Sequence, residues 1–259
     1  MTGKTVGFIG GGRVAHIILG GLKKAGQMPA KVVVSDISVD VLNRLRARYP
    51  EIQTIHNDNR APASQDLVFA GLHPPVLPGC LGEIKASLKP NSILISLAPK
   101  LSIAKLAGVL DGFDRIVRLI PNAPSIIGEG LNPISFSGAL SEEDKAEISA
   151  LVSALGKCPE VDEGKLEAYA IVTAMGPTYF WFQLHELQKI AESFGLSRRE
   201  AETGISEMVA GTGKSLFGSG LAPEEVMDLV PVKPLGEEEG NIKAAYHARL
   251  EALYAKLKN

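Results

Sequence analysis

The chain has 259 residues, of which 45% are hydrophobic and 22% are charged, and its formal net charge is −2. This composition is typical of a packed globular protein and argues against extensive disorder. The length suits two modest domains. The chain contains no dense run of Lys and Arg, which argues against nucleic acid or an anionic membrane surface as a partner, because both need a concentrated basic face.

The two cysteines, Cys80 and Cys158, stand alone, with no CxxC pair and no His at metal-ligand spacing. We therefore expect two reduced thiols and no metal site. The first apolar run, Val6–Ile9, is followed at once by three glycines. No apolar stretch approaches the roughly 20 residues needed to span a bilayer. The sequence predicts a soluble, cytoplasmic protein.

Short β-rich runs alternate with amphipathic stretches through the first part of the chain. Most of these runs are apolar throughout, as expected of parallel strands that are covered on both faces. The alternation predicts an α/β fold with a doubly wound parallel sheet. The predicted strands are Thr5–Ile9, Lys31–Ser35, Gln53–Ile55, Leu67–Gly71, Ser92–Leu97 and Arg115–Arg118, and the helices between them include Arg13–Ala25, Val39–Tyr49 and Val76–Leu88.

Beyond the last of these units the pattern becomes helical, with glycines where helices are expected to end. We place the boundary near Cys158–Gly164, which predicts an α/β domain of residues 1–162 and an all-helical domain of residues 163–259. The predicted helices of the second domain are Leu166–Phe194, Arg198–Ser219, Pro223–Leu229 and Ile242–Lys258.

A glycine-rich turn joins the first predicted strand to the first predicted helix. Gly10, Gly12 and Ala15 match the GxGxx(G/A) pattern of Rossmann-type dinucleotide-binding domains. Gly10 permits a tight turn, Gly12 allows a pyrophosphate to approach the backbone, and Ala15 allows close packing of helix on strand. Arg13 and Val14 open the helix, whose unpaired N–H groups and positive dipole end complete the predicted phosphate site.

The second predicted strand is followed by a carboxylate, Asp36. An acidic side chain here accepts hydrogen bonds from the hydroxyls of the adenine ribose, and it repels a 2′-phosphate. The next residues, Ile37, Ser38 and Val39, supply no basic side chain. The sequence therefore favours NAD over NADP. Asp36 could instead cap the following helix, and both roles can be true at once.

Six motifs along the chain resemble, in their order and spacing, those of a known family. They are Gly7–Gly12, Thr54–Asn57, Leu72–Pro78, Val117–Pro124 with Gly128–Gly130, Gly176–Tyr179, and Phe194–Arg198 with Glu200–Ala201. Together they resemble the pyrroline-5-carboxylate reductase family over nearly the whole chain. The resemblance implies an NAD(P)H-dependent oxidoreductase, of proline biosynthesis in the family, that transfers hydride to a small cyclic imine or a related acid.

The resemblance also implies contacts and an assembly. Asn57 matches a family asparagine that approaches the adenosine ribose, and the other implied cofactor contacts are Leu72, His73, Pro74, Ala98 and Asn122. In the family the helical domains interlock, which implies a homodimer or larger homo-oligomer. The long predicted helix fits this expectation because thin helical layers cannot cover all of its large apolar side chains, which are Phe180, Trp181, Phe182, Leu184 and Leu187.

Three segments depart from the family's pattern. Thr173–Met175 replaces a small Ser-Gly-Ser sequence, and Ala98–Lys100 replaces Ala-Ala-Gly. Pro231–Gly236 replaces the Ser-Pro-Gly-Gly-Thr-Thr segment that holds the substrate in the family. The cofactor half is therefore kept, whereas the substrate half has diverged.

A proline in the long predicted helix points to the substrate region. Pro177 removes one helical hydrogen bond and frees the carbonyl of Thr173, which predicts a polar notch facing the cofactor. A kink that serves only packing is the alternative. The predicted substrate contacts are Asn122, Met175, Gly176, Pro177 and Lys233. The candidate proton donors are Thr173, Tyr179, His73 and Lys233, of which Lys233 could instead be a solvated loop lysine and His73 a structural hydrogen-bonding residue.

Two other functions remain open from the sequence. A β-hydroxyacid dehydrogenase shares this architecture but uses a lysine in the interdomain helix, and Leu166–Gln188 contains none. A catalytically inactive cofactor-binding sensor or structural protein is suggested by the replaced substrate segment. Fold alone does not choose among these functions.

Overall fold

The computed structural model describes residues 3–73 and 75–258. Its main sheet has seven strands in the order β3-β2-β1-β4-β5-β6-β8, and neighbouring strands are parallel except β8, which runs antiparallel to β6. The strands are β1 Val6–Ile9, β2 Val32–Asp36, β3 Gln53–His56, β4 Leu67–Ala70, β5 Ile93–Ser96, β6 Ile116–Leu119 and β8 Ile134–Phe136, and a second, two-stranded sheet pairs β7 Gly130–Leu131 with β9 Gly156–Lys157. The predicted doubly wound sheet is confirmed, with each of its six predicted strands present.

Helices cover both faces of the main sheet. Side chains of successive strand residues alternate between two apolar clusters: Phe8 lies in one, where its ring stacks on Phe69 at a centroid distance of 4.8 Å, and Ile9 lies in the other. The first cluster is completed by α1 Arg13–Lys24, α2 Val39–Arg48 and α6 Glu142–Val152, and the second by α3 Arg60–Ala63, α4 Leu77–Ile84 and α5 Ile103–Val109. Burial on both faces explains why these strands are apolar throughout.

The helical part of the chain is more broken than predicted. The helix expected over Leu166–Phe194 consists of α7 Leu166–Tyr169, a π-helical turn Ala170–Ala174, and α8 Pro177–Ser193. The interruption precedes Pro177, which has no N–H to donate. The later elements are α9 Arg198–Gly218, α10 Pro223–Asp228, a 3-10 turn Gly236–Glu238, α11 Glu239–Tyr246, a π-helical turn His247–Glu251 and α12 Ala252–Lys258.

The chain forms two compact units. One comprises the residues up to Met175 together with those from Tyr254 onward, and the other comprises Gly176–Leu253. This division differs from the predicted boundary at residues 162/163, because α7 and the first π-helical turn pack with the sheet unit: Leu166 and Ala170 are buried against Ile120. Within the described residues, no helix combines the length and apolarity required to cross a membrane.

A carboxylate ties together the starts of two neighbouring strands, β1 and β4. Asp66, just before β4, accepts hydrogen bonds from the backbone N–H and the hydroxyl of Thr5, both at 2.8 Å, just before β1. Its other oxygen accepts from Lys89 Nζ at 2.7 Å. The hydrogen bond from Lys89, followed by that from the Thr5 backbone, lowers the pKa of Asp66 from 3.8 to about 2.

We predict that Asp66→Asn destabilises the protein at neutral pH by about 1–2 kcal/mol, because a carboxylate with a lowered pKa stabilises the folded state. This contribution is fully present above the unfolded pKa of 3.8 and is lost as the pH falls through the folded pKa of about 2. Urea denaturation of both proteins between neutral and acidic pH measures it. The control is Asp111→Asn, which removes an exposed ion pair to Lys85 and is expected to cost at most about 0.5 kcal/mol. An unfolding free-energy difference between Asp66→Asn and the parent that stays constant down to acidic pH would contradict the assignment.

Candidate cofactor site

The turn between β1 and α1 brings bare backbone to the carboxyl edge of the sheet. Gly10 has a φ of +94°, and a Cβ there would lie 3.0 Å from the carbonyl oxygen of Gly71. Gly12 is the N-cap of α1, and a Cβ built there meets no heavy atom within 4 Å. Ala15 is buried where α1 packs on the sheet. Gly10 therefore shapes the turn, and Gly12 leaves open space in front of it.

The N-terminus of α1 is suited to an anion. Its first turn holds no acidic residue and no side chain caps it. The first N–H groups of a helix lack intrahelical acceptors and carry the positive end of the helix dipole. Arg13, which is exposed, adds a full positive charge. A pyrophosphate fits this combination of open space, free amides and positive charge.

Gly11 is a member of this site that the sequence pattern did not single out. Its N–H donates to Asp36 Oδ2 at 2.8 Å. A Cβ at Gly11 would lie 2.9 Å from Leu45 and 3.3 Å from both Val34 and Val41. The loop is thus held between β2 and α2, and Gly11 has no room for a side chain.

The predicted ribose ligand, Asp36, already holds two backbone groups. Oδ2 accepts from Gly11, and Oδ1 accepts from the N–H of Ser38 at 2.8 Å. The cap of α2 is Ser38, whose hydroxyl accepts from the N–H of Val41. Each carboxylate oxygen has a second lone pair for a ribose hydroxyl, so the predicted contact is compatible with this geometry.

An open cleft of about 500 Å³ extends from the glycine-rich turn into the groove between α1 and α2. His73, a predicted cofactor contact and candidate donor, lines it. Arg44 and Arg48 of α2 also line it, although sequence reasoning examined only the three positions after Asp36. The full lining is Gly11, Gly12, Arg13, Val14, His16, Val41, Arg44, Leu45, Arg48, Gly71 and His73.

Three other predicted cofactor contacts lie near the same sheet edge. Asn57 follows β3 with a φ of +54°, and its N–H donates to the carbonyl of Asp36 at 3.0 Å. Leu72 lies against the turn, since a Cβ on Gly10 would come within 3.2 Å of its Cδ2. Ala98 is buried just beyond β5. Pro74 lies outside the described residues.

Asn122, predicted to contact nicotinamide or substrate, has a structural role in its loop. It is buried, and its Oδ1 accepts from the N–H of Leu131 at 3.2 Å and from Ser125 Oγ at 3.3 Å. Its Nδ2 donates, at the long distance of 3.5 Å, to the carbonyl of Thr173. This is the carbonyl that Pro177 was predicted to free from its helical hydrogen bond. A contact with nicotinamide stays a prediction.

The candidate proton donors occupy different surroundings. The Thr173 hydroxyl donates back to the carbonyl of Tyr169 at 2.8 Å. In the second unit, Tyr179 packs edge-on against Tyr246, and burial raises its pKa. Lys233 is exposed between α10 and the 3-10 turn. Of the four, His73 is the one that lines the cleft beside Gly12.

The predicted substrate contacts fall on both sides of the division between the units. Met175 closes the π-helical turn, with its N–H donating to the carbonyl of Ala170 at 3.0 Å. Gly176 is buried and Pro177 is half-buried in the second unit. Their approach to substrate stays a prediction, as does that of Lys233.

The loop after β5 is held in a strained conformation by a buried ion network. Lys100 has a φ of +78°, which is unfavourable for a residue with a side chain. Its N–H donates to Glu167 Oε1 at 3.2 Å, and Arg118 donates to the same oxygen at 2.6 Å. Burial alone would raise the pKa of Glu167, but the hydrogen bond and charge of Arg118, together with backbone hydrogen bonds that include the one from Lys100, outweigh burial and lower the pKa. The sequence marked Lys100 as a departure from the family and placed Arg118 in a shared motif, but it assigned no role to Arg118 or Glu167.

Neither cysteine is suited to act as a nucleophile. Burial raises the pKa of both Cys80 and Cys158 to about 11, so little thiolate forms at neutral pH. The candidate site is therefore not expected to act through a cysteine nucleophile.

Comparisons with known proteins agree with this geometry. Residues 5–100 match the family model described as NADP oxidoreductase coenzyme F420-dependent. Pyrroline-5-carboxylate reductase of Escherichia coli (strain K12) is 26% identical over 228 residues, which cover 88% of this chain and 84% of that protein. The match therefore extends far beyond the glycine-rich turn. The chain is similar to the pyrroline-5-carboxylate reductases over most of its length.

Solved structures support this relationship. A pyrroline-5-carboxylate reductase from Coxiella burnetii is 26% identical, with a TM-score of 0.70, and the match covers 99% of this chain and 95% of that one. Pyrroline carboxylate reductase of Plasmodium falciparum, whose crystal structure has NADP bound, shares the fold with a TM-score of 0.83 at 21% identity, over 100% of this chain and 98% of that one. The resemblance predicted from the motifs is confirmed.

We predict that Gly12→Val abolishes binding of NADH and NADPH without unfolding the protein. The added side chain enters the open space in front of α1, while the φ of −70° at Gly12 suits any residue. Calorimetric titration measures the affinity, and thermal unfolding measures the stability. The control, Gly3→Val, also places a side chain in open space, but away from the turn, and should change neither. Normal cofactor affinity in Gly12→Val would refute the site.

Proposed function

We propose that the chain is an NAD(P)H-dependent oxidoreductase that transfers hydride to the C=N bond of a small cyclic imine or a related acid. The observation that carries the proposal is the open backbone at Gly12 before the uncapped N-terminus of α1. It occurs in a chain that matches pyrroline-5-carboxylate reductases over most of its length.

The residues around the turn fit a nicotinamide dinucleotide. The N-terminus of α1 would hold the pyrophosphate, Asp36 and Asn57 lie where the adenosine ribose is expected, and Ala98 and Asn122 follow the strands on the opposite side of β1. When bound, the cofactor supplies the hydride. The chain supplies orientation and a hydrogen-bond donor for the substrate nitrogen.

The proposed donor remains one of Thr173, Tyr179, His73 and Lys233. The carbonyl of Thr173 is held by Asn122, which supports an ordered polar notch rather than a kink that serves packing alone. Lys233 is the candidate for a substrate carboxylate, as a point charge.

The substrate segment supports a diverged substrate. α10 ends at Asp228, and Pro231–Pro234 form no helix before the turn at Gly236–Glu238. A segment with two prolines offers fewer N–H donors than the family's glycines and threonines, because proline has none. The substrate therefore need not be pyrroline-5-carboxylate. A role in proline biosynthesis would require that it is.

We predict that the protein oxidises NADH or NADPH in the presence of at least one cyclic imino acid. A panel of five- and six-membered ring imino acids, with the imine next to the carboxylate or across the ring from it, covers the proposed class. Loss of the reduced-nicotinamide absorbance measures turnover. The Gly12→Val protein is the matched control and should show none.

A second function has its own support. The same replaced segment, Pro231–Gly236, is what a cofactor-binding protein without catalysis would tolerate. Binding of NADH or NADPH with no turnover across the panel would favour that function and overturn the reductase proposal.

We further propose that the second unit associates with a second copy of the chain. In α8 to α11, all of which the structure describes, Ala201 is the only buried residue. Large apolar side chains are more than half exposed there, among them Phe180, Trp181, Phe182, Phe194 and Phe217. Exposed apolar surface on this scale marks an interface. A symmetric copy presents the same surface and can cover it.

We predict that sedimentation velocity shows a dimer or larger oligomer, because an isolated second unit would leave these side chains in water. Phe182→Asp should shift the protein toward monomer, since it places a charge on the proposed interface. Gln183→Asp, an exposed polar residue beside it, is the control. A parent protein that sediments as a monomer at every concentration would contradict the assembly.

A further inference from the structure

Three arginines surround the cleft beside the glycine-rich turn. Arg13, Arg44 and Arg48 line it, and none of its lining residues is acidic. Among the ion pairs of the described residues, none includes any of the three. The cleft therefore presents positive charge without an internal counter-ion.

Packing of α2 places two of these arginines. Val41 and Leu45 contact the glycine-rich turn, where each would meet a Cβ on Gly11 at 3.3 and 2.9 Å. Arg44 and Arg48 are four residues apart in α2, so their side chains leave the helix on the same face. The contact that fixes α2 on the turn thus also brings both guanidinium groups to the cleft.

Arg48 is held by neutral groups. It donates to Nε2 of His16, whose Nδ1 contacts the Tyr49 hydroxyl at 2.7 Å, and that hydroxyl donates to the His16 carbonyl at 3.1 Å. Burial, with a smaller effect of Arg48, lowers the pKa of His16, so the imidazole is neutral at physiological pH. The charge of Arg48 is oriented but not compensated.

The carboxylate of Asp36, which contacts the glycine-rich turn, is occupied in part by the backbone. Both oxygens of Asp36 accept backbone N–H groups, from Gly11 and from Ser38. These bonds turn the carboxylate toward its own loop and disperse part of its negative charge. The repulsion of a phosphate that was expected from Asp36 is correspondingly weaker.

We propose that Arg44 and Arg48 bind the 2′-phosphate of NADP, beside the pyrophosphate site of Arg13, and that the protein prefers NADP(H) to NAD(H). A phosphomonoester carries up to two negative charges and oxygens that match the guanidinium fork. The proposal rests on the proposed function, and it reverses the preference predicted from Asp36 alone.

The test compares the affinities of NADPH and NADH by calorimetric titration. The parent protein should bind NADPH at least about tenfold more tightly than NADH, which corresponds to about 1.4 kcal/mol. Arg44→Ala and Arg48→Ala should each weaken NADPH binding about tenfold or more and leave NADH binding nearly unchanged. Arg46→Ala is the matched control, because Arg46 lies on the same helix but contacts Asn43 and does not line the cleft.

Competition with nucleotide fragments isolates the phosphate. Adenosine 2′-monophosphate should displace NADPH more strongly than adenosine 5′-monophosphate from the parent protein, and this difference should disappear in Arg44→Ala. Equal loss of NADPH and NADH affinity in Arg44→Ala would overturn the proposal, because the arginine would then bind a part of the molecule that both cofactors share. Arg44→Lys should restore part of the NADPH affinity.

The two proposals fail in different ways. If the parent protein binds neither cofactor, the proposed function itself is wrong. If it binds NADH as tightly as NADPH, or more tightly, the dinucleotide site stands and the assignment of the arginines is overturned.

Discussion

The hydrogen bond from the Gly11 N–H to Asp36 connects the end of the first strand to the end of the second, and the candidate site depends on it. It holds the turn against β2 while α2 closes over Gly11 with Val41 and Leu45. Backbone bonds on either side, from Gly10 to Ser35 and from Gly71 to Ile9, complete the support. The amides at the start of α1 are thereby presented in a fixed direction, and preorganised amides lose little entropy when an anion binds.

The charged residues around this turn have two different roles, one structural and one in ligand binding. Asp36 shapes the loop through its backbone contacts, whereas Arg13, Arg44 and Arg48 provide an unpaired positive surface. A residue predicted as a ligand thus doubles as a structural element, and residues on α2 that were overlooked become candidate ligands. The same pattern holds at Asn122, a predicted ligand whose amide oxygen accepts from Ser125 and Leu131 of its own loop.

The two compact units differ in how many of their large apolar side chains are buried within the chain. The sheet unit buries a continuous apolar core on both faces, and its buried Arg118 is paired with Glu163 and Glu167. The second unit leaves most of its large apolar side chains exposed. This exposed apolar surface is what supports the proposed association with a second copy of the chain.

The sequence by itself determined the strand pattern, the glycine-rich turn and the apolar character of α8, because these depend on residue types at short spacing. It also indicated Pro177 as a break, although not the π-helical turn before it. Only the tertiary structure decided that β8 joins the sheet antiparallel, that both oxygens of Asp36 are occupied, and that Arg44 and Arg48 reach the cleft. These features arise from contacts between elements that are separate in the chain, and the pattern within any one element does not specify which partner its side chains will meet.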